Sequence, residues 1–298
     1  MKLTQLRDLT AIVENGGLRA AARRLDVAQP LLTRSVRALE KELGTPLFER
    51  QARGMVLTPM GRLFHERARS MVNELRRARD ELAQAQGDNQ GTVIAGLSIM
   101  PHIGLLPRAL PVFRQRYPDV RLQFIEGLFP DLEQQLRAGD IDFYLGATPR
   151  EVPAGFVTET LFTNTRAVVG RKGHPLARVR SLKALVKCDW ALPSIDFDTQ
   201  EDFARLFAQH GLPAPRVVLQ ARTALSMMVG LASTDLLALL PVQLGEFELT
   251  QHALMSIKIS ERLPAPDIVL MRRAELPLTP AAEYLCDVMR RHLPTPSA

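Results

Sequence analysis

The sequence predicts a small helical head with a β wing, one long helix, and an α/β domain of alternating strands and helices. Three observations carry this. Leu18–Glu40 holds two short helical patterns separated by a break at Asp26-Val27. Thr58-Pro59 opens a stretch that runs to about Gln86 before Gly87-Asp88-Asn89-Gln90-Gly91 stops it. From Thr92 onward, short apolar runs alternate with helical ones, the pattern of a mostly parallel sheet.

The head begins with a helix over residues 3–14, where Leu6, Leu9, Ile12 and Val13 share one face. In the first helix of the pair, Leu18, Ala21, Ala22 and Leu25 recur at helical spacing. The second opens near Gln29 with Pro30 in its first turn, where a missing N–H costs nothing. Leu32, Val36, Leu39 and Leu43 then form a stripe, which turns Pro30, Thr33, Arg34, Arg37 and Lys41 to the opposite side. Such a helix fits the recognition element of a helix-turn-helix. Periodicity alone favours the plainer reading, an ordinary amphipathic helix with a solvated basic face. After Gly44, Pro46–Arg50 and Gly54–Leu57 read as two short strands, a wing with Arg50 and Arg53 at its tip. Basic residues there grip phosphate and position the head without reading sequence.

The order of residues narrows this choice. Leu18-Arg-Ala-Ala-Ala, Val27-Ala-Gln-Pro-Leu-Leu-Thr-Arg-Ser-Val-Arg-Ala-Leu-Glu40, Leu43-Gly-Thr-Pro-Leu-Phe-Glu-Arg50 and Leu57-Thr-Pro-Met-Gly61 resemble the LysR-type transcriptional regulators. The resemblance is dense over about the first 65 residues and looser to the C-terminus. It implies a winged helix-turn-helix over residues 1–58, with Arg19, Gln29, Pro30, Thr33, Arg34, Arg37, Arg50 and Arg53 facing operator DNA. Gly17 and Ala28 depart from the family's usual capping serines, and Ala is a poor N-cap.

On the long helix, residues 59–88, Phe64, Ala68, Met71, Leu75, Ala78 and Leu82 step by four and three, a heptad seam about three repeats long. A seam outside any core asks for a partner, most simply a second copy of the chain, though packing on its own effector domain is the rival. The family resemblance implies a homodimer or homotetramer.

In the third part, residues 91–298, strands are expected at Thr92–Leu97, Val120–Glu126, Ile141–Gly146, Arg166–Val169, Trp190–Leu192, Val217–Gln220, Leu236–Leu240 and Ile268–Arg272. Helices are expected at Ile103–Arg116, Asp131–Ala138, Ser181–Val186, Gln200–Gln209, Ala224–Leu231, Val242–Leu249 and Pro280–Arg291. Pattern and family architecture together imply a two-lobed effector domain like a periplasmic binding protein. Lobe I takes residues 91–163 and 267–298 and lobe II 164–266, with crossings near Thr163–Thr165 and Pro264–Pro266.

Ligands in open α/β sheets sit beyond the carboxyl ends of strands, where helix N-termini favour anions. This singles out the junctions carrying Ser98, Met100 and Pro101, then Phe129, Ala147, Phe197 and Thr223. Ser98 and Thr223 are expected to donate to a carboxylate or sulfonate, and Phe129 and Phe197 to cover an aromatic ring; capping and core packing are the plainer roles. The expected effector is a small organic or aromatic acid. Gly211-Leu-Pro213-Ala-Pro215, Ser233-Thr-Asp235 and Leu276-Pro-Leu-Thr-Pro-Ala-Ala282 look like the subgroup that includes the regulator of toluenesulfonate breakdown.

Other classes fare worse. Gly96-Leu-Ser98-Ile-Met100 lacks the second glycine of a nucleophile elbow, and no phosphate-cradling glycine motif occurs. His102, His174 and His210 have no carboxylate at a telling spacing, so no enzyme, cofactor or metal site is expected. A redox sensor using Cys188 and Cys286 is an alternative, with Lys183 and Lys187 near the first. A solute-binding protein for transport is another, opposed by the N-terminal head and by a polar start where a signal peptide needs an apolar run. No run approaches a membrane span, which points to the cytoplasm. The net charge of +6 is uneven: residues 1–60 hold ten Lys/Arg against six Asp/Glu, a modestly basic head on a nearly neutral body. Operator DNA is the expected partner, with RNA polymerase a second one should the chain activate.

Overall fold

The computed structural model describes residues 1–51, 54–193, 198–245 and 250–293. Two compact units make up the chain: Met1–Asp88 with Arg137–Ile141, and Asn89–Leu136 with Asp142–Ala298.

In the first unit, α1 (Leu3–Glu14), α2 (Leu18–Leu25) and α3 (Gln29–Leu43) pack around two small cores. Asp26 ends α2 in the left-handed conformation at φ 53°, which aspartate tolerates better than most residues. That residue makes the tight turn into α3. Leu32, Val36 and Leu39 are buried, packed on the α1 and α2 residues Leu9, Ile12, Ala21 and Ala22. Gly17 and Ala28 are the N-caps of α2 and α3, and neither helix has a side-chain cap bond.

The wing strands β1 (Phe48–Gln51) and β2 (Gly54–Leu57) pair antiparallel, Phe48 opposite Leu57. Glu40 near the end of α3 holds the wing's base: its Oε1 accepts the N–H of Leu47 at 2.8 Å and of Phe48 at 3.1 Å. Thr58 then caps α4 (Pro59–Ala85), its Oγ1 accepting from Gly61 N at 2.9 Å while donating to Pro46 O at 2.8 Å.

The seam of α4 is divided. Ala68 is fully buried, with Phe64 and Val72 beside it, against Leu6, Leu9, Leu39 and Leu47 of the head. Met71 and Leu82 stay exposed, joined by Met60 and Leu63. The first two seam positions therefore serve the head's own core. Farther along, Arg69 and Asn73 bond Asp140, and the buried Arg77 donates to the carbonyls of Gly139 and Ile141 at 2.8 and 2.9 Å.

The second unit holds two groups of strands. A five-stranded sheet runs β4 (Arg121–Glu126), β3 (Thr92–Leu97), β5 (Phe143–Ala147), β12 (Ile268–Arg273), β6 (Phe156–Phe162). Its β3 is parallel to β4 and β5, and β12 is antiparallel to both neighbours. α6 (Leu106–Arg116) and α10 (Pro280–Arg291) cover it, where Phe113, Leu285 and Met289 join Val93, Ala95 and Leu97 in the core. The other group orders β10 (Ala238–Pro241), β7 (Arg166–Arg171) and β11 (Leu254–Ile257), with β8 (Asp189–Pro193) parallel to β9 (Arg216–Ala221). Trp190 is its centre, edge-on to Phe203 and Phe207 of α8 (Asp198–Gln209). Two chain crossings link the groups side by side: Thr165 bridges Pro264, and Arg166 N donates to Leu263 O at 2.9 Å.

Several elements differ from the sequence expectation. The helix expected over residues 103–116 is two, α5 (Ile99–Gly104) and α6, broken at Leu105 just ahead of Pro107. Leu182–Leu185 and Val242–Gly245 are single 3₁₀ turns instead of α-helices, and residues 246–249 lie outside the described residues. Strands β6 and β11 were not anticipated. β6 alternates poorly, with four consecutive exposed residues, because it is the sheet's edge. The remaining helices are α7 (Phe129–Ala138) and α9 (Ala224–Ser233).

Candidate DNA interface and effector cleft

In the head, the buried stripe of α3 fixes what its other side shows. Gln29, Pro30, Arg34 and Arg37 are exposed, Thr33 is half-buried, and all five line one shallow concavity. Thr33 Oγ1 donates to Gln29 O at 3.3 Å. A concave face with two guanidiniums, an amide and a hydroxyl has the donors and acceptors that base edges and phosphates call for. Arg19 is exposed on α2. Arg50 lies in β1; its side chain, together with Arg53 and Phe197, lies outside the described residues.

The second unit contains a cleft where the two strand groups face each other. From the five-stranded side it takes Ser98, Ile99, Glu126, Gly127, Leu128 and Asp131; from the other come Pro193, Ala221, Arg222, Thr223, Ala224, Met227 and Leu240. Its open space is ≈ 550 Å³ counting solvent at the mouth. Of the seven residues expected here, Ser98 and Thr223 line it. Met100, Pro101 and Phe129 are buried in packing. Phe129 stacks edge-on against Tyr144 and Phe156, so its ring covers core and not ligand, a correction to the expectation. Ala147 ends β5 without lining the cleft; its carbonyl accepts from the Tyr144 hydroxyl at 3.2 Å.

The helix N-termini expected to hold an anion are already supplied with oxygen. At α9, Glu126 Oε1 accepts the N–H of Ala224 at 2.7 Å, and Thr223 Oγ1 accepts that of Ser226 at 3.2 Å. At α7, the buried Tyr144 phenol takes the N–H of Phe129; burial, the larger influence, raises its pKa. Sequence reasoning missed Glu126, Asp131 and Arg222. Glu126 was read as the last residue of a strand, and nothing local announces that it reaches a helix 98 residues later.

His174 has a structural role: its Nδ1 accepts from Leu176 N at 3.1 Å, leaving Nε2 to donate to Asp235 O at 3.0 Å. The cysteines do not have the settings of reactive thiols. Burial and then Asp189 push the Cys188 thiol up, and full burial pushes Cys286 well up, the reverse of an activated sulfur. Among the described residues no cluster of His, Cys, Asp or Glu is arranged to hold a metal, and no helix is long and apolar enough to cross a membrane.

Comparison with known proteins agrees with both halves. Residues 3–62 match the bacterial regulatory helix-turn-helix model of the lysR family, and residues 86–294 match the LysR substrate binding domain. The HTH-type transcriptional regulator GalR of Pseudomonas putida is 29% identical over 289 residues, 96% of this chain and 73% of that protein. The SDS degradation transcriptional activation protein of a Pseudomonas species is 28% identical over 287 residues, 95% and 94% of the two chains. Among solved structures, the LysR family regulator CbnR superposes with TM-score 0.70 at 22% identity, covering 98% of this chain and 99% of CbnR. Full-length CbnR complexed with its target DNA gives 0.71 at 22% identity, covering 98% and 100%. The chain belongs to the LysR family of DNA-binding transcriptional regulators, with the family's helix-turn-helix head and its C-terminal effector-binding domain.

Proposed function

We propose that this chain binds operator DNA through the outward face of α3, with the wing on the flanking phosphates, and that a small effector in the cleft of its second unit switches that binding. The observation that supports it most is the shared exposed face of Gln29, Pro30, Thr33, Arg34 and Arg37, backed by the buried Leu32, Val36 and Leu39. A CbnR structure with its target DNA supports the same use of a related fold. The proposed working form is a cytoplasmic homodimer or homotetramer held by the exposed part of the α4 seam, and the chain catalyses no reaction. RNA polymerase is a further partner if regulation is activating. The domain bounds proposed are 1–58, 59–88 and 91–298.

Gel shift with DNA from the promoter region beside its own gene tests the proposal. The full chain shifts that DNA, and a Thr33→Ala/Arg34→Ala double variant loses the shift at equal concentration. Equal binding by both proteins places the interface elsewhere.

A further inference from the structure

We propose that the cleft carries its own carboxylate ligand, Glu126, and for that reason takes an effector whose polar groups donate hydrogen bonds, as hydroxyl or ammonium, and turns away small carboxylates. This rests on the cleft being the effector site.

Glu126, at the end of β4, reaches across the cleft to Ala224, the first residue of α9. That N–H is one of the donors a helix leaves unpaired at its positive end, where an anion gains most. In this chain the anion is built in. Beside it, Asp131 Oδ1 stands 3.9 Å from Arg222. The lining thus holds two carboxylates against one guanidinium. An arriving carboxylate meets an occupied helix end and two like charges. An arriving hydroxyl or ammonium meets acceptors: the remaining lone pairs of both carboxylates. Ser98 adds a further group. It is only 3% exposed, it lines the cavity, and its hydroxyl makes no cap bond to the helix that it precedes. A hydroxyl on a residue of the cavity wall can both donate to and accept from a ligand's polar group.

Calorimetry on the full chain with benzoate as the carboxylate probe tests the built-in ligand. Removing Glu126 vacates the α9 N–H, so Glu126→Ala should bind benzoate at least tenfold more tightly than the wild type. Adding Ala224→Pro removes the N–H itself. Proline is well tolerated at a helix's first position, and Thr223 before it is already extended at φ −122°, ψ 150°. The double variant should lose the gain. Equal benzoate affinity in wild type and Glu126→Ala, or a gain that survives Ala224→Pro, overturns the proposal.

A thermal-shift screen of small carboxylates, polyols and amines against the wild type separates hydroxyl from ammonium ligands, and its hits should weaken at least tenfold in Glu126→Gln. Hits confined to carboxylates overturn the inference. Leu128→Trp, which adds bulk to the cleft's lining, keeps the two readings apart. Hits lost in Leu128→Trp but unchanged in Glu126→Gln defeat only the role of Glu126, whereas hits that survive both variants place the effector site outside the cleft.

Discussion

Gly61 in the first turn of α4 lies directly against the carbonyl of Leu47: a methyl group at Gly61 would stand 2.0 Å from that oxygen. The same carbonyl accepts the Thr58 N–H at 2.9 Å, so it has no freedom to swing aside. Helix, wing and recognition helix meet here, since Glu40 clamps the N–H groups of Leu47 and Phe48 from the other side. Gly61→Ala should therefore cost about 3 kcal/mol of stability, the upper range of overpacking. Thr58→Ala, which loses the cap, should cost about 1 kcal/mol. Urea unfolding of both variants measures the difference, and equal midpoints would show that the junction relaxes.

How much of this was legible beforehand depends on the range of the interaction. The stripe of Leu32, Val36 and Leu39, the Thr58-Pro59 start and the Gly44 stop are local signals, and each marks what it promised. The α/β pattern from Thr92 was legible for the same reason. The use of Phe64 and Ala68 was not, because a heptad stripe does not say whether its partner is another chain or the preceding α1. Nor was the cleft chemistry. Glu126, Asp131 and Arg222 meet only in the folded chain, where segments distant in sequence come together. Phe129 failed as a ring cover because Tyr144 and Phe156, both remote in sequence, claim its faces.

Base reading and phosphate grip are separable by salt. Arg34→Ala should cost about 1–3 kcal/mol on the cognate operator and relax specificity at one base pair. Arg53→Ala should weaken all sequences about equally and lower the salt slope by about 1. Fluorescence anisotropy over a salt series reports both numbers. A specificity change with Arg53→Ala and none with Arg34→Ala would reverse the assignments.

Leu82 is 64% exposed near the end of α4, in line with the exposed Met71. If that stripe is the contact between copies, Leu82→Arg buries a charge without a partner and should lower the mass seen by light scattering at micromolar concentration. The melting of the monomer should change little, since among the described residues Leu82 belongs to neither of the head's cores. An unchanged mass removes this part of α4 from the interface.

Thiol labelling separates an effector-switched regulator from a redox sensor. With both thiols pushed up by burial, Cys188 should react slowly with an alkylating probe at pH 7.5 and faster as pH rises. Cys286, buried in the core under the five-stranded sheet, should label only on unfolding. A Cys188→Ser variant should keep the wild-type response of DNA binding to peroxide. Rapid labelling at neutral pH, or a response lost with Cys188, would restore the redox alternative.

His65 gives the head a pH dependence with a definite sign. The side chain is buried on α4, and its Nε2 has no hydrogen-bond partner among the described residues. Burial foremost, then the Arg69 charge, holds its pKa below the usual 6.5, while Asp140 and Glu66 pull weakly the other way. The folded head therefore keeps the ring neutral where an unfolded chain would take up a proton. Below about pH 6.5 the unfolded state binds more protons, so stability is present above that pH and is lost as pH falls. Urea midpoints at pH 7.5 and 5.5 should differ more in the wild type than in His65→Leu, whose side chain fills similar space without titrating. The same drop in both proteins would mean that His65 takes its proton as readily folded as unfolded, and that the acid sensitivity of the head lies in its carboxylates instead.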